Sequence, residues 1–118
     1  MTFDHSDLIA LIETVSPNEL DTANFGVIGF DENCVVVFYN QTESLLSGLR
    51  AETVVGSHLF IDVAPCMNNY LVALKFEERD ELDEIIPYIL SFKMKPVPVS
   101  LRLIKHPHLT LNYVLIRR

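Results

Sequence analysis

Apolar residues follow two different periods along this chain, and the period divides it into elements. Leu8, Ile9, Leu11, Ile12 and Val15 recur at helical spacing behind Ser6, which predicts a short amphipathic helix with Ser6 as its N-cap. Ser16-Pro17-Asn18-Glu19 has the capping-box pattern with proline at the first helical position and opens one more turn. Two apolar runs, Phe25 to Phe30 and Cys34 to Tyr39, flank Asp31-Glu32-Asn33 and read as a β-hairpin. Asn40 then offers an N-cap with Glu43 at the third helical position and Gly48 placed to end the helix. A further turn over Ala51 to Val55 stops at Gly56, and His58 to Pro65 reads as irregular.

Asn68 or Asn69 is placed to cap a longer helix reaching about Glu84, whose charged stretch from Glu77 reads as a solvated face or loop. Ile85 to Lys95, Val97 to Lys105 and Leu109 to Arg117 are three more strands; Val97, Val99, Leu101 and Leu103 alternate strictly. His106-Pro107-His108 turns the last pair. The order is helix, two strands, several short helices, three strands. Hairpin connections make the sheet antiparallel, so the chain predicts an α+β fold: a five-stranded antiparallel sheet with short helices covering one face. Residues 1–21 form an N-terminal helical cap and 22–118 the core of a single domain.

Composition narrows the class. With 118 residues, 49% of them hydrophobic, the chain can bury an ordinary core without metal or disulfide staples. No apolar stretch is long enough to span a bilayer, and Asp4, Asp7 and Glu13 stand where a secretory signal would be basic, so the expectation is a soluble cytoplasmic protein. All 16 acidic residues and three basic ones fall in residues 1–92, whereas 93–118 holds six basic residues and no acid. Tyr113 is the single aromatic residue there, so that segment reads as Lys and Arg on the wet face of strands, not as a nucleic-acid surface.

Familiar chemistry is missing. Paired-cysteine and HExxH zinc patterns, CxxCH haem attachment and phosphate-binding glycine loops do not occur. One thiol and one carboxyl without an oriented base or oxyanion donors do not make an enzyme. What remains is Tyr39, Glu43, Ser47 and Cys66: Tyr39 ends a strand, Glu43 lies one helical turn on, and Ser47 is four residues further on the same face. Taken singly, Glu43 is the third residue of a capping motif, Tyr39 an edge-of-core tyrosine, Met94 a gap-filler and Cys66 either an inert or a reactive thiol.

In this order and spacing the residues resemble the photoactive yellow proteins, within the wider PAS sensory domains. The resemblance is carried by Phe25-Gly26-x-Ile28, Tyr39-Asn40 with Glu43, Val55-Gly56, Asp62-Val63-Ala64-Pro65-Cys66, and Met94 with Pro96. It covers nearly the whole chain and implies a PAS fold. It also implies a para-coumaric acid chromophore, a 4-hydroxycinnamoyl thioester on Cys66, with Tyr39 and a protonated Glu43 bonding its phenolate oxygen, Ser47 supporting Tyr39, and Phe92 and Met94 lining the pocket. The implied function is a blue-light photoreceptor signalling to a downstream protein; the residues leave open whether the chain forms a homodimer. Burial would keep Glu43 protonated, and short hydrogen bonds would hold the phenolate. Two positions depart from the family: Leu49 replaces an arginine over the pocket, and Leu90 replaces an aromatic residue. The alternative is a chromophore-free PAS interaction or dimerisation module, or a sensor of another ligand such as haem bound through His58 or Met94.

Overall fold

The computed structural model describes residues 1–92 and 95–118, and of Phe92 the backbone alone. Two short helices, α1 (Leu8–Leu11) and α2 (Pro17–Asp21), lead into strands β1 (Gly26–Phe30) and β2 (Val36–Tyr39). Helices α3 (Gln41–Ser47) and α4 (Ala51–Val54), a π-helical turn (Leu59–Val63), a 3-10 turn (Pro65–Met67) and helix α5 (Ala73–Glu78) follow. Strands β3 (Leu82–Phe92), β4 (Lys95–Lys105) and β5 (Asn112–Arg117) complete one antiparallel sheet in the order β2-β1-β5-β4-β3. The α+β architecture expected from the periodicity is the one observed.

Alternation decides what each face buries. Ile28 and Phe30 of β1, Val99, Leu101 and Leu103 of β4, and Val114 and Ile116 of β5 point into one cluster with Leu59, Phe60, Met67 and Phe76 from the helical segment. The intervening residues Val27, Ile104, Tyr113 and Leu115 face the other way and pack on Phe3, Leu8 and Ile12. Both faces are therefore covered, which is why every residue of β1 is buried. Among the described residues no helix is long and apolar enough to cross a membrane.

The local signals that were readable are visible as bonds. Ser16 Oγ accepts the Glu19 N–H at 3.1 Å behind Pro17, and Gly48 ends α3 in the left-handed conformation at φ 78°. Three expectations are corrected. Asp7, not Ser6, precedes α1, and it makes no side-chain cap. His58 to Pro65 is not irregular: His58 Nδ1 accepts the N–H groups of Phe60 (3.1 Å) and Ile61 (3.2 Å) and opens the π-helical turn. The long helix expected to run from Asn68 or Asn69 to Glu84 spans only Ala73 to Glu78, behind Val72 and without a side-chain cap, and the chain is extended from Leu82.

The charges near that boundary have partners elsewhere in the fold. Glu84 takes Lys75 at 2.7 Å and also Arg79, both from the α5 region, while Asp83 is gripped by Arg102 of β4. The basic segment is likewise only partly wet. Arg102 is buried: Nε and Nη2 donate to the two Asp83 oxygens (2.8 and 2.9 Å), and Nη1 donates to the carbonyls of Phe3 (3.0 Å) and His5 (2.7 Å). Lys105 Nζ donates to the Phe76 carbonyl at 2.7 Å, and the Arg117 guanidinium lies 4.5 Å from the centroid of the Phe3 ring. These cations tie the N-terminal segment and α5 to the sheet.

Glu13 makes a second tie. Its carboxylate accepts from the Thr110 N–H and hydroxyl, the Leu111 N–H and the Tyr113 hydroxyl. Partial burial pushes this carboxyl up, but the bonds from Thr110, Tyr113 and Leu111 together hold it below its ordinary value. A carboxyl lowered on folding contributes stability that is complete above the ordinary value of 4.5 and is lost as pH falls through the lowered one. The Thr110 and Leu111 amide proton resonances are therefore expected to shift together on acidification below pH 4.5. Glu13→Gln should abolish that titration; an unchanged titration in the variant would show that another group anchors the segment.

Candidate functional site

The end of β2 and the start of α3 place three of the four residues singled out by spacing. Tyr39 closes β2 with its ring in the main apolar cluster, and its hydroxyl meets Ser47 Oγ at 2.7 Å. Ser47 Oγ also accepts the Leu49 N–H at 3.1 Å, so the serine fixes both the phenol and the chain leaving α3. Burial drives the Tyr39 phenol well above its ordinary pKa, with the Ser47 bond opposing and the Glu43 charge adding to the rise. Tyr39 thus stays neutral.

Between them sits Asn40, buried and fully bonded. Its Oδ1 accepts the N–H groups of Glu43 and Val27, each at 2.9 Å, and its Nδ2 donates to the carbonyls of Phe25 (3.0 Å) and Leu20 (3.1 Å). The residue expected only to cap α3 also fastens the start of β1 and the end of α2 to that helix.

Glu43 is 0% exposed. Its carboxylate lies against Gly26 of β1 and takes two N–H bonds from Arg118, which follows β5: Nη1 to Oε1 at 2.6 Å and Nη2 to Oε2 at 3.1 Å. This fork-on-carboxylate geometry is that of an ion pair. Burial pushes the Glu43 carboxyl above its ordinary value, and Arg118 opposes that rise through both hydrogen bonding and charge. Arg118 is a site residue that the spacing did not suggest, since the pair spans 75 positions of sequence.

Cys66 lies in the 3-10 turn, a partly buried free cysteine packed against the same cluster that contains Tyr39. Its carbonyl accepts from the Tyr88 hydroxyl and from Asn69 Nδ2 (3.1 Å), and Asn69 Nδ2 also donates to the Tyr88 oxygen at 2.6 Å. Tyr88 of β3 and Asn69 therefore hold the turn that carries the thiol. Leu49 and Leu90 belong to the same cluster, Leu90 fully buried within it. The structure brings Tyr39, Ser47 and Glu43 together around α3 and sets Cys66 on the apolar cluster that Tyr39 shares. Met94 and the side chain of Phe92 fall outside the described residues.

An open groove of about 930 Å³ lies elsewhere, among Cys34, His58, Phe60, Phe76, Lys105 and the turn at His106. It is not lined by Tyr39, Glu43, Ser47 or Cys66. Around Tyr39 the apolar cluster consists of packed side chains.

A family model described as PAS fold matches residues 17–100. The photoactive yellow protein of Halochromatium salexigens is 28% identical over 106 residues, covering 87% of this chain and 85% of that one. That of Rhodothalassium salexigens is 26% identical over 104 residues, covering 86% and 83%. Among solved structures, the photoactive yellow protein domain of the sensor histidine kinase Ppr from Rhodospirillum centenum superposes with a TM-score of 0.82 at 30% identity, covering 92% of this chain and 98% of that domain. Fold, coverage and family model agree, and the chain belongs to the PAS family as a photoactive yellow protein-like member.

Proposed function

We propose that this PAS domain is a sensory module that holds a small conjugated phenol, tethered through Cys66, and reports its state to a signalling partner in the cytoplasm. The observation that carries this reading is the buried Tyr39 hydroxyl, fixed by Ser47 on the helix whose other inward group is Glu43, in one cluster with Cys66. The donor set fits a phenolic oxygen: Tyr39 and Ser47 offer hydroxyls, and the surrounding side chains are apolar. A 4-hydroxycinnamoyl group would supply a visible absorption and a phenolic oxygen. Cys66 would hold it as a thioester, with Tyr39 orienting that oxygen. The bound state would require the packed cluster around Tyr39 to open, with Leu49, Phe92 and Met94 as candidate walls. No hydrolytic or redox step is part of this role; PAS domains of this kind generally act as signalling modules.

One observation favours a second reading, a chromophore-free interaction or dimerisation module: Glu43 is already satisfied by Arg118. Incubation with activated para-coumaric acid separates the two. The sensory reading expects a mass increase of one chromophore, absent in Cys66→Ala, and a new absorption in the visible that bleaches reversibly in light. A protein that remains unmodified, or is modified equally in Cys66→Ala, would overturn it.

A further inference from the structure

The chain leading to Cys66 is fastened by a histidine, through bonds that only its neutral form can make. His58 precedes the π-helical turn Leu59–Val63, and its Nδ1 accepts the N–H groups of Phe60 at 3.1 Å and Ile61 at 3.2 Å. Backbone N–H groups can only donate, so Nδ1 bears a lone pair and no proton. Serine, threonine, asparagine or aspartate usually fills such a place, and none of them changes charge between about pH 5 and 8 as histidine does. Leu59, Phe60 and Val63 of the turn are buried in the cluster that contains Tyr39, with the Phe60 ring edge-on to Phe30. The Ala64 N–H closes the turn on the Leu59 carbonyl at 2.7 Å, and Ala64 leads directly into the 3-10 turn Pro65–Met67 that holds Cys66.

The surroundings of His58 suit the opposite state of its ring. Half-buried, it lines the open groove. On its own turn, Asp62 Oδ2 accepts the His58 N–H at 3.3 Å. The carboxylates of Glu32, from the β1–β2 turn, and of Glu77 and Asp80, from α5 and just beyond it, line the same groove. Against them stands Lys105 of β4, whose ammonium donates to the Phe76 carbonyl, while His106 Nε2 lies 3.0 Å from Glu81. Burial and the charges of Asp31 and Glu77 push the Cys34 thiol up, so it adds no charge. A charged imidazole therefore has counter-ions at hand, whereas the cap requires that Nδ1 carry no proton.

We propose that His58 is a proton-operated latch on the turn that leads to Cys66. Neutral, it pins Phe60 and Ile61 and keeps the turn closed. When Nδ1 takes a proton from solvent its lone pair is used up, both N–H bonds are lost, and the ring turns to the carboxylates of the groove. Phe60 and Val63 are then released from the cluster, which opens beside Cys66. The closed turn is complete at high pH and is lost as pH falls. That the opened space admits a ligand rests on the reading of Cys66 as a tether; the latch itself does not.

The test uses the full chain without ligand, so it succeeds or fails separately from chromophore attachment. In nitrogen-15-labelled protein, wild-type Nδ1 is expected to be unprotonated at about pH 8 and to gain its proton as the pH falls toward about 5. Over that step the hydrogen-exchange protection of the Phe60 and Ile61 amides should fall roughly tenfold or more. In His58→Asn, whose side-chain oxygen caps without titrating, it should stay constant. Cys66 gives the second readout, in a Cys34→Gly background that leaves one thiol; Cys34 sits at φ 62°, which glycine adopts without strain. The rate of reaction with dithiodipyridine, divided by the rate in His58→Asn, cancels the ordinary pH dependence of thiol chemistry. That ratio should be near one at about pH 8 and rise roughly tenfold by about pH 5. Acid damage to the whole fold would appear equally in His58→Asn. An Nδ1 that already carries a proton at about pH 8, a ring that takes up its proton while Phe60 and Ile61 stay protected, or a thiol ratio that stays near one would each overturn the proposal. The wild-type exchange decides even if a variant fails to fold.

Discussion

Asn40→Ala is expected to destabilise the protein by about 4 kcal/mol, far more than the loss of an ordinary N-cap. A cap residue satisfies one orphan N–H of its helix, and replacing it typically costs about 1 kcal/mol. Asn40 satisfies that group on Glu43, and also the N–H of Val27 in the most deeply buried strand and the carbonyls of Phe25 and Leu20. Alanine would leave buried backbone groups of β1 without partners, each costing about 1–3 kcal/mol, and no water reaches a side chain that is 0% exposed. Such a loss is a large share of the ~5–15 kcal/mol that holds a domain of this kind folded. Asn40→Asp provides the control. It keeps the acceptor for Val27 and Glu43 but turns the donor toward Phe25 and Leu20 into an anion facing two carbonyls, so it too should be strongly destabilising. Urea denaturation reads both. A cost near 1 kcal/mol for Asn40→Ala would reduce the residue to a helix cap and show that β1 is fastened by other means.

Asn40 also marks how far a sequence can be read in this fold. Its cap on Glu43 spans three residues and was legible, as were the Asp31-Glu32-Asn33 hairpin, the end of α3 at Gly48 and the alternation along β4. All of these depend on neighbours within a few positions. Its bonds to Leu20 and Phe25 cross 20 and 15 positions and left no local trace. The same limit explains the error at β3. Leu82-Asp83-Glu84 reads as solvated chain until Arg102 and Lys75 are brought alongside, after which the charges are compatible with a strand. Glu43 and Ser47 were legible together because helical spacing sets them on one face of α3, and Tyr39 because it ends the strand just before that helix. Arg118 was not, because only the return of β5 beside β1 carries it to Glu43. The basic C-terminal segment was misjudged for a related reason: charge at strand ends looks solvated until the partner layers are in place, and here Arg102 and Arg118 are both consumed by carboxylates.

That return of β5 makes Gly26 the other position where a small change should have a large effect. Gly26 pairs with Ile116 in ordinary sheet register, so its glycine is not required by the backbone; it is required by Glu43. A Cβ built at Gly26 would stand 2.2 Å from Glu43 Oε1, 3.0 Å from its Cδ and 3.1 Å from its Cβ. An exposed glutamate could swing aside. Glu43 is fully buried and held at both oxygens by Arg118, so alanine must displace the carboxylate and break the ion pair. Overpacking of this kind together with a disturbed buried pair is expected to cost about 3 kcal/mol. For a domain of this length the melting temperature should fall by on the order of 10 °C. The cause can be isolated by repeating the substitution in a Glu43→Ala background. There the obstructing carboxylate is gone and alanine is otherwise the better strand residue, so Gly26→Ala should cost less than about 1 kcal/mol. Equal costs in the two backgrounds would mean that the strand, not Glu43, rejects the side chain. The predicted inequality instead makes the missing side chain of β1 the feature that lets a carboxylate from α3 and a guanidinium from the end of β5 meet inside the fold.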